Sequence, residues 1–238
     1  MMESDIHINC DPETGLCEIP NFTAEKTKAI PFDGETEIIY VGDPMCSWCW
    51  GISPQLNAFK RYGESTGVPF RLVMGGLRPG GGEVWNQEFK DFLKHHWEEV
   101  NKKSGQPFSM TLFDQENFNY DTEPACRAVV TIRELSPEKT LSFYELVQHQ
   151  FYVKNNDPNL VEFYQPICKE LDIDFADFKT FFNSTEAKEL TQKDFVINRE
   201  WGIRGFPSVV VRKGKKLHLI ANGYASFEDL KKQLEEVR

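Results

Sequence analysis

Cysteine is scarce in this chain, with six in 238 residues, too few for a disulfide-stapled scaffold of this length. That leaves catalysis, metal binding or core packing as uses for the thiols. Long apolar runs are missing as well. Arg, Gly, Pro or acidic residues interrupt every hydrophobic stretch before it reaches the roughly 18 residues of a membrane-crossing helix. The N-terminal stretch carries Glu3 and Asp5 and has neither the basic start nor the apolar run of a secretory leader, so the sequence predicts a soluble cytoplasmic protein. Positive charge is also short. Lys and Arg number 27 against 37 Asp and Glu, a net charge of −10, which repels phosphate backbones and anionic lipid and argues against nucleic acid or membrane as a partner. Internal repeats and low-complexity tracts are lacking, and no pattern indicates an oligomeric state.

What is present is a large potential core. Hydrophobic residues make up 40% of the chain, aromatic residues 13%, and there are 19 Phe, enough to fill a globular interior with rings. Residues 1–34 show no periodicity and contain Asp11-Pro12, Gly15, Pro20, Pro31 and Gly34, which predicts an irregular N-terminal arm. Glu37 to Val41 reads as a buried strand ended by Gly42-Asp43-Pro44. Ile52, Leu56 and Phe59 are spaced for a helix running towards Gly63 or Gly67, and Phe70 to Met74 supplies a second strand. A strand, helix and strand of this size form a crossover unit with parallel strands. After Gly75-Gly76-Leu77-Arg78-Pro79-Gly80 the pattern turns helical through Trp85, Phe89, Phe92, His96 and Val100. Further helices are predicted around Thr122 to Leu135, Ser136 to Phe151, Leu160 to Leu171, 175–182 and Thr185 to Trp201. Strand signals return at Ser208 to Val211 and Leu217 to Ile220 around a short glycine turn, and Ser226 with Asp229 marks the start of a last amphipathic helix. The order is β, α, β, a helical insertion, β, β, α.

The chemistry concentrates in Cys46-Ser47-Trp48-Cys49. Cys46 falls between a strand and a helix, where unpaired N–H groups and the helix dipole favour a thiolate, so its pKa is expected to be lowered. It is the predicted nucleophile. Cys49, three residues on and on the same helical face, is the predicted resolving thiol. Ser47 and Trp48 between them are expected to tune the redox balance, with Trp48 and Trp50 also candidates for contact with an unfolded polypeptide. The same spacing suits half of a zinc site, which requires two more ligands. Cys10, Cys17, Cys126, Cys168 and the five His are the available donors, but there is no second CxxC and no close Cys/His pair. The assignment made is therefore no metal. Cys126 and Cys168 read as apolar helix residues and His95-His96 as part of an exposed or core-edge helix. Asp43 is first a turn former, with a proton relay to Cys49 as the other reading. Arg78 reads as a solvated loop residue, with an anion near the thiols as its other role.

Strand followed by Asp43-Pro44-Met45-Cys46-Ser47-Trp48-Cys49-Trp50, the Gly75-to-Gly80 loop, and Thr122-Glu123-Pro124-Ala125-Cys126-Arg127-Ala128 resemble the DsbA-like thioredoxin family, in its FrnE-like cytoplasmic branch. The resemblance spans about residues 36 to 238. It implies an α/β thioredoxin-like fold with a DsbA-type all-helical inserted domain. The expected division is an arm at 1–34, a discontinuous thioredoxin-like domain at 35–82 and 202–238, and a helical insertion at 83–201. It also implies activity on protein or small-molecule disulfides. Gly205-Phe206-Pro207-Ser208 resembles the family's substrate-binding loop, so Phe206 and Pro207 are carried over as substrate contacts and Pro207 as cis.

Cys10 and Cys17 match nothing in that family residue by residue. On one short segment they form a possible second redox pair that exchanges with Cys46 and Cys49, or they are unrelated thiols. The function expected is a disulfide reductase or isomerase with no resident cofactor, fed by an external thiol such as glutathione or by a thioredoxin system. Two other readings stand beside it. One is a kappa-type glutathione transferase or 2-hydroxychromene-2-carboxylate isomerase-like enzyme, families that typically carry serine where this chain has Cys46. The other is a non-catalytic peptide-holding or zinc-stabilised module.

Overall fold

The computed structural model describes residues 10–18 and 35–238. Part of the expected irregular arm, at 1–9 and 19–34, lies outside the described residues. Its remaining segment is not irregular. Two short strands, β1 (Cys10–Asp11) and β2 (Leu16–Glu18), pair antiparallel, with Cys10 facing Cys17. The Asp11 side chain accepts from the Glu13 N–H at 2.8 Å, the Gly15 N–H donates to the Asp11 carbonyl at 2.8 Å, and Gly15 adopts φ +67°. The Asp, Pro and Gly that read as an irregular arm in the sequence are thus the turn residues of a hairpin.

The central sheet is built from β3 (Thr36–Gly42), β4 (Phe70–Met74), β6 (Ser208–Lys213) and β7 (Lys216–Asn222), in the order β4-β3-β6-β7. Helix α1 (Ser47–Ser65) connects β3 to β4, and those two strands run parallel, as a crossover requires. β6 is antiparallel to both of its neighbours, and the two-residue loop at Gly214 and Lys215 sets the β6–β7 hairpin. A two-residue strand β5 (Gly205–Phe206) joins β1 and β2 in a separate small sheet. β1, β2 and β5 are too short to show alternation in the sequence, and none of them was expected.

Between β4 and β5 the chain is helical: α2 (Gln87–Ser104), α3 (Glu123–Leu135), α4 (Thr140–Tyr152), α5 (Gln165–Glu170), α6 (Phe175–Phe182) and α7 (Thr185–Glu200). The single helix expected from Leu160 to Leu171 is instead a 3-10 turn at Val161–Tyr164 followed by α5. Pro166 explains the break, because it donates no N–H and fits only a helix's first turn. Aromatic rings fill the insertion. Phe178 is fully buried and packs its ring on Phe143, Tyr164, Phe175 and Phe182. The last helix, α8 (Phe227–Val237), is capped by Ser226, whose hydroxyl accepts from the Asp229 N–H, and it buries Leu230 and Leu234 in a face packed on α1 and the β6–β7 side of the sheet. No helix among the described residues is long and apolar enough to cross a membrane.

Candidate active site

β3 ends at Gly42, and the chain turns through Asp43, Pro44 and Met45 into α1, with Cys46 at the N-cap and Cys49 in the first helical turn. The turn is held from within by Asp43. Its carboxylate accepts from the N–H groups of Met45 at 2.8 Å and Leu77 at 2.7 Å and from the Cys126 thiol at 3.4 Å, and its carbonyl accepts from the Tyr144 hydroxyl at 3.1 Å. These bonds carry the turn-forming reading of Asp43. Burial nonetheless raises its pKa, opposed by the N–H groups of Leu77 and Met45. Tyr120 of the insertion donates to the Met45 carbonyl at 2.7 Å, fixing the residue just before Cys46.

Cys46 and Cys49 are free thiols and both are fully buried. The Cys46 Sγ donates to the Phe206 carbonyl at 3.7 Å, and the Phe206–Pro207 peptide bond is cis, as the resemblance implies. The Phe206 ring lies on Gly75, where any side chain would collide with it. Cys46, Ser47, Trp48, Cys49, Phe206 and Pro207 therefore converge, brought together by the β3–α1 turn and the segment entering β6.

The electrostatics of this closed arrangement differ from expectation. Cys46 was expected to have a lowered pKa; instead burial pushes it well above the ordinary cysteine value, and the neighbouring Cys49 adds to the rise. The helix terminus is present, but desolvation of a thiolate without solvent outweighs it. Tyr40 and Tyr144 stand edge to face at 6.1 Å beside the dithiol, each with its pKa driven up by burial first and by Cys49 second. Together with Tyr120 they are site residues that the motif did not reveal. For Tyr40 a signal existed, since it alternates with Ile38 along the strand leading to the motif.

Trp48 is 1% exposed, its ring edge-on to Tyr224 at 6.1 Å. Trp50 is core: it stacks on Tyr152 and donates from Nε1 to the Pro107 carbonyl at 3.0 Å. Arg78 is not solvated. It is 4% exposed, paired with Glu83 and set over the Phe89 ring at 4.9 Å, and burial lowers its pKa to about 10. His96 lies half-buried against Phe92, and Cys126 and Cys168 are buried. Among the described residues, no three His, Cys, Asp or Glu side chains gather into a metal-ligating group.

Cys10 and Cys17 form a disulfide. β2 pairs antiparallel with β5 and brings Cys17 opposite Phe206, whose carbonyl accepts from the Cys46 thiol.

Residues 98–238 match the model of the thioredoxin-like domain family, a stretch that includes Phe206-Pro207 and starts downstream of the Cys46 motif. The chain is 34% identical to a candidate protein disulfide isomerase from Nitrosomonas europaea. That alignment covers 85% of this chain and 97% of the other, with a TM-score of 0.78. The cytosolic disulfide reductase DsbM from Pseudomonas aeruginosa, in its structure with GSH, is 24% identical over 84% of this chain and 98% of its own, with a TM-score of 0.65. A 2-hydroxychromene-2-carboxylate isomerase is 14% identical over 84% of this chain and 93% of its own, with a TM-score of 0.56. The last two likenesses show a shared fold alone. No curated protein matches the chain.

Proposed function

The chain belongs to the thioredoxin-like family, and from that premise we propose that it is a thiol-disulfide oxidoreductase, a reductase or isomerase working through Cys46 and Cys49. The observation that carries this reading is the pair of free thiols in the first turn of α1, with Cys46 Sγ on the carbonyl of Phe206 beside cis-Pro207. Cys46, as thiolate, attacks one sulfur of a substrate disulfide, forming a mixed disulfide and releasing the other sulfur as a thiolate that takes up a proton. Cys49 then attacks Cys46 and frees the substrate's second thiol, leaving Cys46–Cys49 oxidised. Phe206 and Pro207 bind substrate backbone, and Ser47 and Trp48 tune the thiolate.

The raised pKa of Cys46 belongs to the covered state. Attack therefore requires that the cover over the thiol move and that a proton leave first. Substrates are disulfide-containing proteins or small molecules, and the electrons come from glutathione or a thioredoxin system. The glutathione in the DsbM structure supports that donor class. Residues 35–82 and 202–238 carry the chemistry, and the insertion at 83–201 walls it. The place of work is the cytoplasm, a reading supported by the cytosolic assignment of DsbM. Cysteine rather than serine at position 46 separates this reading from the isomerase and kappa-type transferase alternatives.

Dithiothreitol-coupled reduction of insulin tests the proposal. The wild-type chain is expected to accelerate the reaction and Cys46→Ala to abolish the acceleration; equal rates for the two chains overturn it.

A further inference from the structure

The hairpin at 10–18 occupies the position of an extended ligand. β5 pairs with β2 at Cys17↔Phe206 and Glu18↔Gly205, and in an antiparallel ladder facing Cα atoms stand about 4.5 to 5.5 Å apart. Phe206 is also the residue whose carbonyl holds the Cys46 thiol. Cys17 thus stands one ladder step from the atom that Cys46 touches, and the two residues are 1% and 0% exposed. Main-chain pairing on a sheet edge accepts many sequences, which is the way an extended peptide adds to a folded partner.

The rest of the hairpin is clasped in place. The Tyr224 N–H donates to the Thr14 carbonyl at 3.0 Å, and Gly15 lies so close to Trp48 that an added Cβ would come within 2.9 Å of its ring. Trp48, weighed from the sequence as a polypeptide-contact residue, already contacts polypeptide. The segment on it carries a disulfide, and the dithiol below is reduced. A disulfide and a dithiol, an electron acceptor and an electron donor, therefore both border Phe206 within one chain.

We propose that the Cys10–Cys17 disulfide is an internal substrate of the Cys46–Cys49 dithiol, held on β5 as an external disulfide-bearing strand would be. The proposal rests on Cys46 being the attacking thiol. Cys46 thiolate attacks the sulfur of Cys17; the Cys10–Cys17 bond breaks as a Cys46–Cys17 bond forms, and Cys10 leaves as a thiolate and takes up a proton. Cys49, giving up its proton to solvent, attacks Cys46 and releases Cys17. Two electrons have then passed from the dithiol to the hairpin, which holds two thiols, and Cys46–Cys49 is a disulfide. Two molecules of glutathione return it to the dithiol and leave as oxidised glutathione. Without its cross-link the hairpin loses the constraint that keeps its two strands in register, and β5 becomes available to another chain. In a reducing compartment the hairpin disulfide is then a transient, exchangeable bond rather than a structural one.

The test follows reduction of Cys10–Cys17 in the full chain by millimolar glutathione, with acid quenching, alkylation and peptide mapping. The Cys46→Ser chain is expected to lose this bond at a rate lower by about tenfold or more than wild type, because the attacking thiol held beside it is gone. The Cys49→Ser chain is expected to accumulate a Cys46–Cys17 cross-linked peptide. Equal rates in wild type and Cys46→Ser overturn the proposal, as does absence of that peptide. Insulin reduction on the same samples separates the two levels: if Cys46→Ser has lost it while the hairpin bond is reduced at the wild-type rate, only the internal substrate is refuted. Should wild type itself lack insulin reduction, the oxidoreductase reading fails with it.

Discussion

The two cysteine pairs meet by different geometry. Cys46 and Cys49 are three residues apart at the start of α1, where helical periodicity brings neighbours of that spacing onto one face. Cys10 and Cys17 are seven apart and meet because a turn folds β1 back on β2 in facing register. The helix pair is walled by Tyr40, Tyr120 and Tyr144, and burial pushes the Cys46 pKa up. The hairpin pair leaves Cys10 only half-buried, on a hairpin held by two ladder positions of β5 and by the Tyr224 N–H on the Thr14 carbonyl. Sequence separation alone therefore says little about whether two thiols pair. The backbone between them decides it.

The heaviest blow to this arrangement is Trp48→Ala, since the ring is buried against Gly15 of the hairpin and Tyr224. Emptying so buried a site is expected to cost about 3 to 5 kcal/mol, read as a lower urea midpoint. A smaller and more local effect is expected from Gly205→Val. A Cβ at this position would strike the Cys17 carbonyl, so β2 must lift from β5. Hydrogen exchange at 16–18 should speed up by roughly tenfold, the equivalent of about one backbone bond's net stabilisation. Unchanged protection there would mean that the hairpin is held by Tyr224 and Trp48 and not by β5.

The helix pair was legible because its signal is local: a strand, a break, two thiols at helical spacing and an apolar helical stripe lie within one continuous stretch. The insertion was legible for the same reason, through Phe178, Phe182 and their neighbours at helical intervals. The hairpin was not. Asp11, Pro12 and Gly15 announce a turn, but strands of two and three residues cannot display alternation, and what stabilises them is pairing with Gly205 and Phe206 far along the chain. The pKa of Cys46 was misjudged for a related reason. A helix terminus is visible in sequence, whereas the burial that outweighs it depends on Phe206, Tyr120 and Tyr144, which arrive from three other segments.

That burial gives the comparison a pH signature. A thiol whose folded pKa lies above its unfolded value keeps its proton longer in the native state. Its contribution to stability is fully present below the ordinary cysteine pKa and is lost as pH rises through the folded value. Iodoacetamide reacts with thiolate, so alkylation of Cys46 in the wild-type chain should rise only at pH above the ordinary cysteine range. In Gly205→Val the lifted hairpin admits water, and the profile should move to lower pH. Mass spectrometry of the Cys46 peptide after timed alkylation measures both curves, and coincident curves would show that something other than the hairpin desolvates the thiol.

The smallest effect separates the two pairs most cleanly. Tyr120 reaches the site from the insertion and bonds the Met45 carbonyl, next to Cys46. In Tyr120→Phe the ring keeps its aromatic neighbours Phe89, Phe118 and Phe151, so the loss is one hydroxyl donor to a buried carbonyl. The expected cost is about 1 kcal/mol in urea unfolding, with hydrogen exchange at 16–18 unchanged. A change in hairpin exchange would mean that the turn before Cys46 and the strand opposite Phe206 move as one unit, and the two cysteine pairs would then have to be treated as a single structural element rather than as donor and acceptor on separately held supports.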